Sequence, residues 1–242
     1  MNSLDPAEFY TGIVPSVYTA LRGSHYSAER YLQFVKTAGS PALELGCGDA
    51  GPFYDLVRAG VDVEGVDSSL DMVRRGRDRL AQENLVAKIH HDRMETLHLG
   101  RRFRSVYLAG PTFNLLPDDH RAMLALRTIA RHLHAEGAAL VPLWVPAPTP
   151  SGQFGTTRES SDGSTRMRYT VLSEEYDAAR RVRTTSVRYE LHTGGRSIVQ
   201  DRNWIIHWYE RADFEQLAQE AGLTVRWEPT DGELIEATLT HS

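Results

Sequence analysis

Residues 42–51 read ALELGCGDAG: an apolar run ends at Leu45, glycines stand at 46, 48 and 51, and the residues beyond can begin a helix. A strand that turns into a helix through glycines lets the main chain approach a ligand closely, and it restricts the chain to an α/β unit with that ligand at the turn. The string also fits G-x-G-x-x-G, so at this point a dinucleotide remains one of the candidate ligands.

The surrounding sequence repeats the unit. Apolar runs at 41–45, 61–66, 85–90, 105–109 and 138–145 read as strands. Between them Leu70, Val73 and Leu80, and then Met123, Leu126, Ala130 and Leu133, recur at helical spacing. This alternation predicts a doubly wound, mostly parallel α/β sheet. Residues 147–164 are rich in Pro, Gly and Ser and predict a loop or lid. The β-branched and aromatic stretches that follow, with HTGG at 192–195 as a hairpin turn, predict an antiparallel β insertion. Phe214, Leu217, Ala218 and Ala221 restore helical spacing up to Gly222, and residues 224–228 and 233–240 read as two final strands, seven in the main sheet. The expected organisation is a helical cap over 1–40, a core over 41–146 and 208–242, and an insertion or lid over 147–207.

Composition narrows the function. The single cysteine, Cys47, excludes an intramolecular disulfide and a cysteine-based zinc site. His90, His91 and Asp92 alternate across a strand and do not converge on one ion, so no metal is expected. With 27 basic and 32 acidic residues the net charge is −5 and there is no long basic block, which favours a small-molecule partner over nucleic acid. The longest apolar stretch, 138–148, contains three prolines and falls short of the roughly 20 residues a membrane span needs. The N-terminus lacks the pattern of a secretory signal, and the expected location is cytoplasmic.

Two carboxylates favour one nucleoside. Glu44 stands just before the glycines, where it would repel a pyrophosphate but could orient an ammonium group. Asp67 follows the second glycine by 67 − 48 = 19 residues and ends the second strand, where a carboxylate accepts hydrogen bonds from ribose hydroxyls. Adenosine with a positively charged tail fits both, which points to S-adenosyl-L-methionine.

The order LELGCG, VEGVDSSLDMV, HDRM and SVYLAGPTFNLL resembles the class I S-adenosylmethionine-dependent methyltransferases over nearly the whole chain. That resemblance implies an enzyme with a Rossmann-like fold. Gly46, Cys47 and Gly48 would border the methionine part, with Glu44 and Ala109 nearby. Asp67 and Ser68 would lie at the ribose, Met72 and Asp92 at the adenine, and Met94 or the Arg93 backbone at its edge. The N-terminal VYTALRGSHYSAERYLQF resembles small-molecule N-methyltransferases of the amino-sugar type, which implies that Tyr18, Arg22 and Tyr26 cover the cofactor.

The expected reaction is methyl transfer to a small molecule, most simply an amine of a secondary metabolite or modified sugar. O- or C-methylation and an NAD-binding oxidoreductase are the alternatives. His207 is the preferred base, ahead of His25 and His120, and Tyr18 a second catalytic candidate. Thr112, Trp144 and Trp208 are expected to line the acceptor, and Arg166, Arg168, Arg181, Arg183 and Arg188 are candidates to grip an acidic one. The insertion is also a candidate homodimer surface.

Overall fold

The computed structural model describes residues 5–22, 27–229 and 234–242, with the side chain of Arg22 left out. Five strands run in parallel: β1 (Ala42–Leu45), β2 (Val63–Asp67), β3 (Lys88–His91), β4 (Phe103–Tyr107) and β5 (Leu133–Trp144). The last two, β10 (Leu223–Glu228) and β11 (Leu234–His241), complete a seven-stranded sheet of order β10-β11-β5-β4-β1-β2-β3. Only β11 opposes the direction of its neighbours. The expected doubly wound sheet is what forms. Its strand order reverses between β1 and β4, where the carboxyl ends of neighbouring strands leave a crevice.

Alternation along β1 explains the layers. Leu43 and Leu45 join one core with Val106, Phe113 and Phe214, packed under α5 (Asp119–His132) and α6 (Arg211–Glu220). Ala42 faces the other core, with Tyr31 of α2 (Ala28–Ala38), Phe53 of α3 (Pro52–Arg58) and Val73 of α4 (Leu70–Gln82). Ser69 caps α4, its hydroxyl accepting from the Met72 amide at 3.2 Å.

Four strands form a separate antiparallel sheet of order β6-β7-β8-β9: β6 (Thr157–Asp162), β7 (Thr165–Asp177), β8 (Val182–Thr193) and β9 (Arg196–His207). Its inner face packs on α1 (Val14–Arg22), where Phe9, Val14 and Val17 meet Met167, Val187 and Tyr189.

Two sequence expectations change here. The polar TRESSD, read as part of a loop, is β6; the hydrogen-bond ladder with β7 holds it, without an apolar face to announce it. Leu133, placed on the helical stripe, instead begins β5, because α5 ends at His132. The His132 ring packs inside the helix end, with Nδ1 2.8 Å from the Thr128 carbonyl and Nε2 accepting from the Leu99 amide at 2.8 Å. Among the described residues no helix is long and apolar enough to cross a membrane.

Candidate active site

A cleft opens at the carboxyl ends of β1, β2 and β4. Gly46 and Gly48 adopt φ of +75° and +56°, the left-handed region that disfavours side chains. A Cβ on Gly46 would lie 2.5 Å from Cγ2 of Thr112, whereas one on Gly48 would meet nothing within 4 Å, so the turn is packed on one side and open to the cleft on the other. Cys47 between them is buried, and burial pushes its thiol well above its ordinary value, which makes it packing material and not a nucleophile.

Asp67 ends β2 half-buried. Its carboxylate accepts from the Gly48 amide and the Ser69 amide, each at 2.8 Å, and burial raises it to about 6. Glu44 is fully buried beside the Tyr107 hydroxyl. Asp92 follows β3 and accepts from the Arg93 amide at 2.7 Å. These acids, with Asp5, Asp49 and Glu95, make the cleft wall electronegative; Arg121 is the one cation among the described lining residues, 3.7 Å from Asp5 and 3.6 Å from Glu95. A diphosphate would meet carboxylates near the glycine turn, while a sulfonium or ammonium group is favoured there.

Residues 5–12 cross the cleft as a strap. Asp5 pairs with Arg93 at 2.9 Å, Ser68 Oγ donates to the Ala7 carbonyl at 3.0 Å, Ser69 Oγ donates to the Tyr10 carbonyl, and the Gly12 amide donates to Asp71 at 2.9 Å. Behind the strap, α1 is anchored on the glycine loop: Thr19 Oγ1 donates to Asp49 at 2.9 Å, and Arg75 donates to the same carboxylate at 2.5 Å.

A second space of about 690 Å³ lies between α1 and the antiparallel sheet. Phe9, Tyr169, Tyr189 and Trp204 give it aromatic walls, while Gln153, Thr156 and Arg158 supply polar groups from one stretch of chain. Tyr10 and Tyr18, whose rings are 5.0 Å apart, line both this chamber and the cleft.

The cleft gathers Tyr18, Glu44, Gly46, Cys47, Gly48, Asp67, Ser68, Met72, Asp92, Met94, Ala109 and Thr112 from the sequence-based set. Tyr26 and His25 lie outside the described residues, as does the side chain of Arg22. Arg93 does not line the cleft; its guanidinium turns to Asp5 and holds the strap.

Three acceptor-side expectations are corrected. His207 is 3% exposed, with Nδ1 2.8 Å from the Tyr209 hydroxyl and Nε2 3.6 Å from Asp119, and burial lowers its pKa; it faces the start of α5 and lines neither space. Trp208 is buried, stacked on Tyr176 at 4.9 Å. Trp144 lies at the junction of the two sheets, also outside both spaces. His120 is exposed at the start of α5. The candidate arginines are tied to carboxylates: Arg166 and Arg168 to Glu159, Arg181 to Asp119 and Asp213, Arg188 to Asp201, with Arg183 3.7 Å from Glu174. Arg158 is the arginine that lines the chamber.

Sequence reasoning missed Tyr10, Asp49, the strap and Asn114. The acid following the second glycine marks Asp49, and Asn114 sits in the fourth-strand motif. The buried Asn114 amide accepts from the Trp144 amide at 3.0 Å and donates to the Trp144 and His207 carbonyls, each at 2.9 Å, which joins the loop after β4 to the ends of β5 and β9.

Residues 42–137 match the methyltransferase domain family. Together with the reversal-point cleft and its acidic lining, this defines the class: the chain carries a methyltransferase domain and is an S-adenosylmethionine-dependent methyltransferase. It is 27% identical over 234 residues, 93% of this chain and 89% of the relative, to the dTDP-3-amino-3,6-dideoxy-alpha-D-glucopyranose N,N-dimethyltransferase of Streptomyces fradiae. It is also 24% identical to the dTDP-3-amino-3,4,6-trideoxy-alpha-D-glucopyranose N,N-dimethyltransferase of Streptomyces venezuelae, covering 94% of this chain and 93% of that one. Its fold is similar to the sugar N-methyltransferase KedS8 from a Streptoalloteichus species, at a TM-score of 0.76 and 18% identity, covering 96% and 94% of the two chains.

Proposed function

We propose that this protein N-methylates the amine of an amino sugar held in the aromatic chamber. The observation that carries the reading is that Tyr10 and Tyr18 line both spaces, so cofactor and acceptor meet at these two rings. The names of the two Streptomyces relatives support a sugar amine.

When bound, S-adenosylmethionine supplies an electrophilic methyl group. Asp67 and Asp92 would hold the nucleoside, with Met72 and Met94 at the base, and Glu44 and the Gly46–Gly48 turn at the amino-acid end. The chain's work is alignment and exclusion of water, for which positioning alone contributes roughly 7–11 kcal/mol. The acidic cleft draws a cationic amine, the proton leaves to water, and the aromatic walls hold the methylated cation. Arg158, the single charged residue among those described around the chamber, would take a phosphate of an activated sugar. A homodimer along β9, an edge strand with exposed Ile198 and Val199, belongs to the same reading.

The test is methyl transfer from labelled adenosylmethionine to dTDP-3-amino-3,6-dideoxyglucose, with the corresponding 3-hydroxy sugar and a simple phenol as comparisons. Methylation of the amine alone is expected; transfer only to a hydroxyl would replace the amine reading.

A further inference from the structure

Arg183 is a cation that no part of the foregoing chemistry uses, and it is only 6% exposed. It lies in the register of β8 opposite Tyr176 of β7 and Ile206 of β9. Two residues along, Thr185 stands opposite Trp204 and Glu174, and further along the same face come Val187 and Tyr189, which pack on α1. One continuous face therefore runs from the chamber to the place where the two sheets meet.

At that meeting place the Arg183 guanidinium lies 4.4 Å over the ring of Trp144, the last residue of β5, and 5.7 Å from the ring of Trp204. The two indoles are 6.3 Å apart and tilted by 31°. Arg183 donates to the Ala147 carbonyl at 3.3 Å. Glu174, 3.7 Å from Arg183, accepts from the Thr149 amide at 2.8 Å and from its hydroxyl at 2.5 Å. The guanidinium and its carboxylate thus hold the exit from the large sheet against the small one.

The hydrogen bonding of this cation is incomplete: Nε is buried without a partner among the described residues. A buried charge so incompletely satisfied is weak evidence for stability, since apolar replacements of similar size are often neutral or stabilising. Its flat shape, shared by two indoles on different sheets, is what a lysine or methionine would not reproduce.

We propose that Arg183 is a positioning residue: by bridging Trp144 of the large sheet and Trp204 of the small one, it fixes the Trp204 wall of the chamber and so sets which acceptor fits. This rests on the reading that the chamber holds the acceptor. Arg183 touches neither space and acts through Trp204.

The test compares Arg183→Met, Arg183→Lys, Trp204→Phe and the double variant R183M/W204F, all in the full chain. With dTDP-3-amino-3,6-dideoxyglucose, R183M is expected to raise the acceptor KM at least about tenfold while kcat stays within threefold and the Kd for adenosylhomocysteine within twofold. R183K recovers part of the KM. In the Trp204→Phe background R183M adds less than twofold, because the route through the indole is already altered. An unchanged KM, equal losses in kcat and cofactor affinity, or fully additive KM effects would overturn the proposal. Should R183M not fold, R183K carries the same KM test.

Near-ultraviolet circular dichroism supplies a readout independent of turnover. R183M and W204F are each expected to change the indole bands, and R183M to change them less in the Trp204→Phe background, where only Trp144 still lies against the guanidinium. Lack of wild-type methylation of amino sugars would count against the proposed function; unchanged indole bands in R183M and R183K would count against the positioning role.

Discussion

The Asp67 carboxylate accepts a 2.8 Å hydrogen bond from the Gly48 amide, tying the end of β2 to the glycine turn nineteen residues earlier. Burial raises Asp67 to about 6, above the ordinary carboxylate value. The folded chain therefore holds this proton more tightly than the unfolded chain, and the resulting stabilisation, present at low pH, is lost as pH rises through about 6. Ribose hydroxyls donate to the ionised form, so binding runs the other way. Affinity for adenosylhomocysteine should be full above pH 6 and fall by up to about tenfold per unit below it. Calorimetry between pH 5 and 8 checks this, and Asp67→Asn should flatten the profile.

Removal of the same group gives a second expectation. Asp67→Ala should weaken cofactor binding by about 1.5–3 kcal/mol, the usual worth of hydrogen bonds to a charged group. Titration calorimetry at pH 7.5 with adenosylhomocysteine reads it, and unchanged affinity would remove Asp67 from the cofactor site.

Gly46→Ala should abolish measurable cofactor binding, because the new methyl would sit 2.5 Å from Thr112 Cγ2 at a φ of +75°. Thr112→Ser deletes that methyl while keeping the hydroxyl that donates to the Ala109 carbonyl at 3.0 Å. The double variant should regain part of the affinity in a thermal-shift titration; no recovery would mean that backbone strain alone sets the loss.

His207 lies with Tyr209 and away from both spaces, so His207→Ala should leave kcat within about threefold of wild type. The cost should appear in stability, about 1–3 kcal/mol for leaving the buried Tyr209 hydroxyl without its partner. Urea unfolding and a steady-state assay on the same preparation separate the two effects.

Asn114→Ala strands the Trp144 amide and two carbonyls that its side chain now satisfies. A loss of at least about 1–3 kcal/mol is expected in urea unfolding, with Asn114→Asp no milder, because its carboxylate keeps the acceptor for the Trp144 amide but sets an oxygen against the two carbonyls.

The main sheet and the cofactor motif were legible along the chain because each depends on neighbours a few residues apart. The alternation of Leu43 and Leu45 against Ala42 and Glu44, the glycines at 46 and 48, and Asp67 at a strand end all carry their meaning within one strand–turn–helix unit. Periodicity misled at Leu133, where an apolar residue in phase with α5 starts a strand, and at TRESSD, where pairing with β7 replaces an apolar pattern.

The acceptor side is different in kind. Whether His207 or Trp208 faces a substrate depends on which way a strand end is turned by Asn114, Tyr209 and Tyr176, residues up to 93 positions away. The chamber exists only because α1, near the start of the chain, packs on strands some 170 residues later, placing Tyr10 and Tyr18 against Tyr189 and Trp204. Local order sufficed to name the nucleoside, since its contacts cluster at consecutive strand ends. The chamber proposed for the acceptor came into view with the folded chain, since its rings share no spacing and meet through the burial of apolar surface between distant segments.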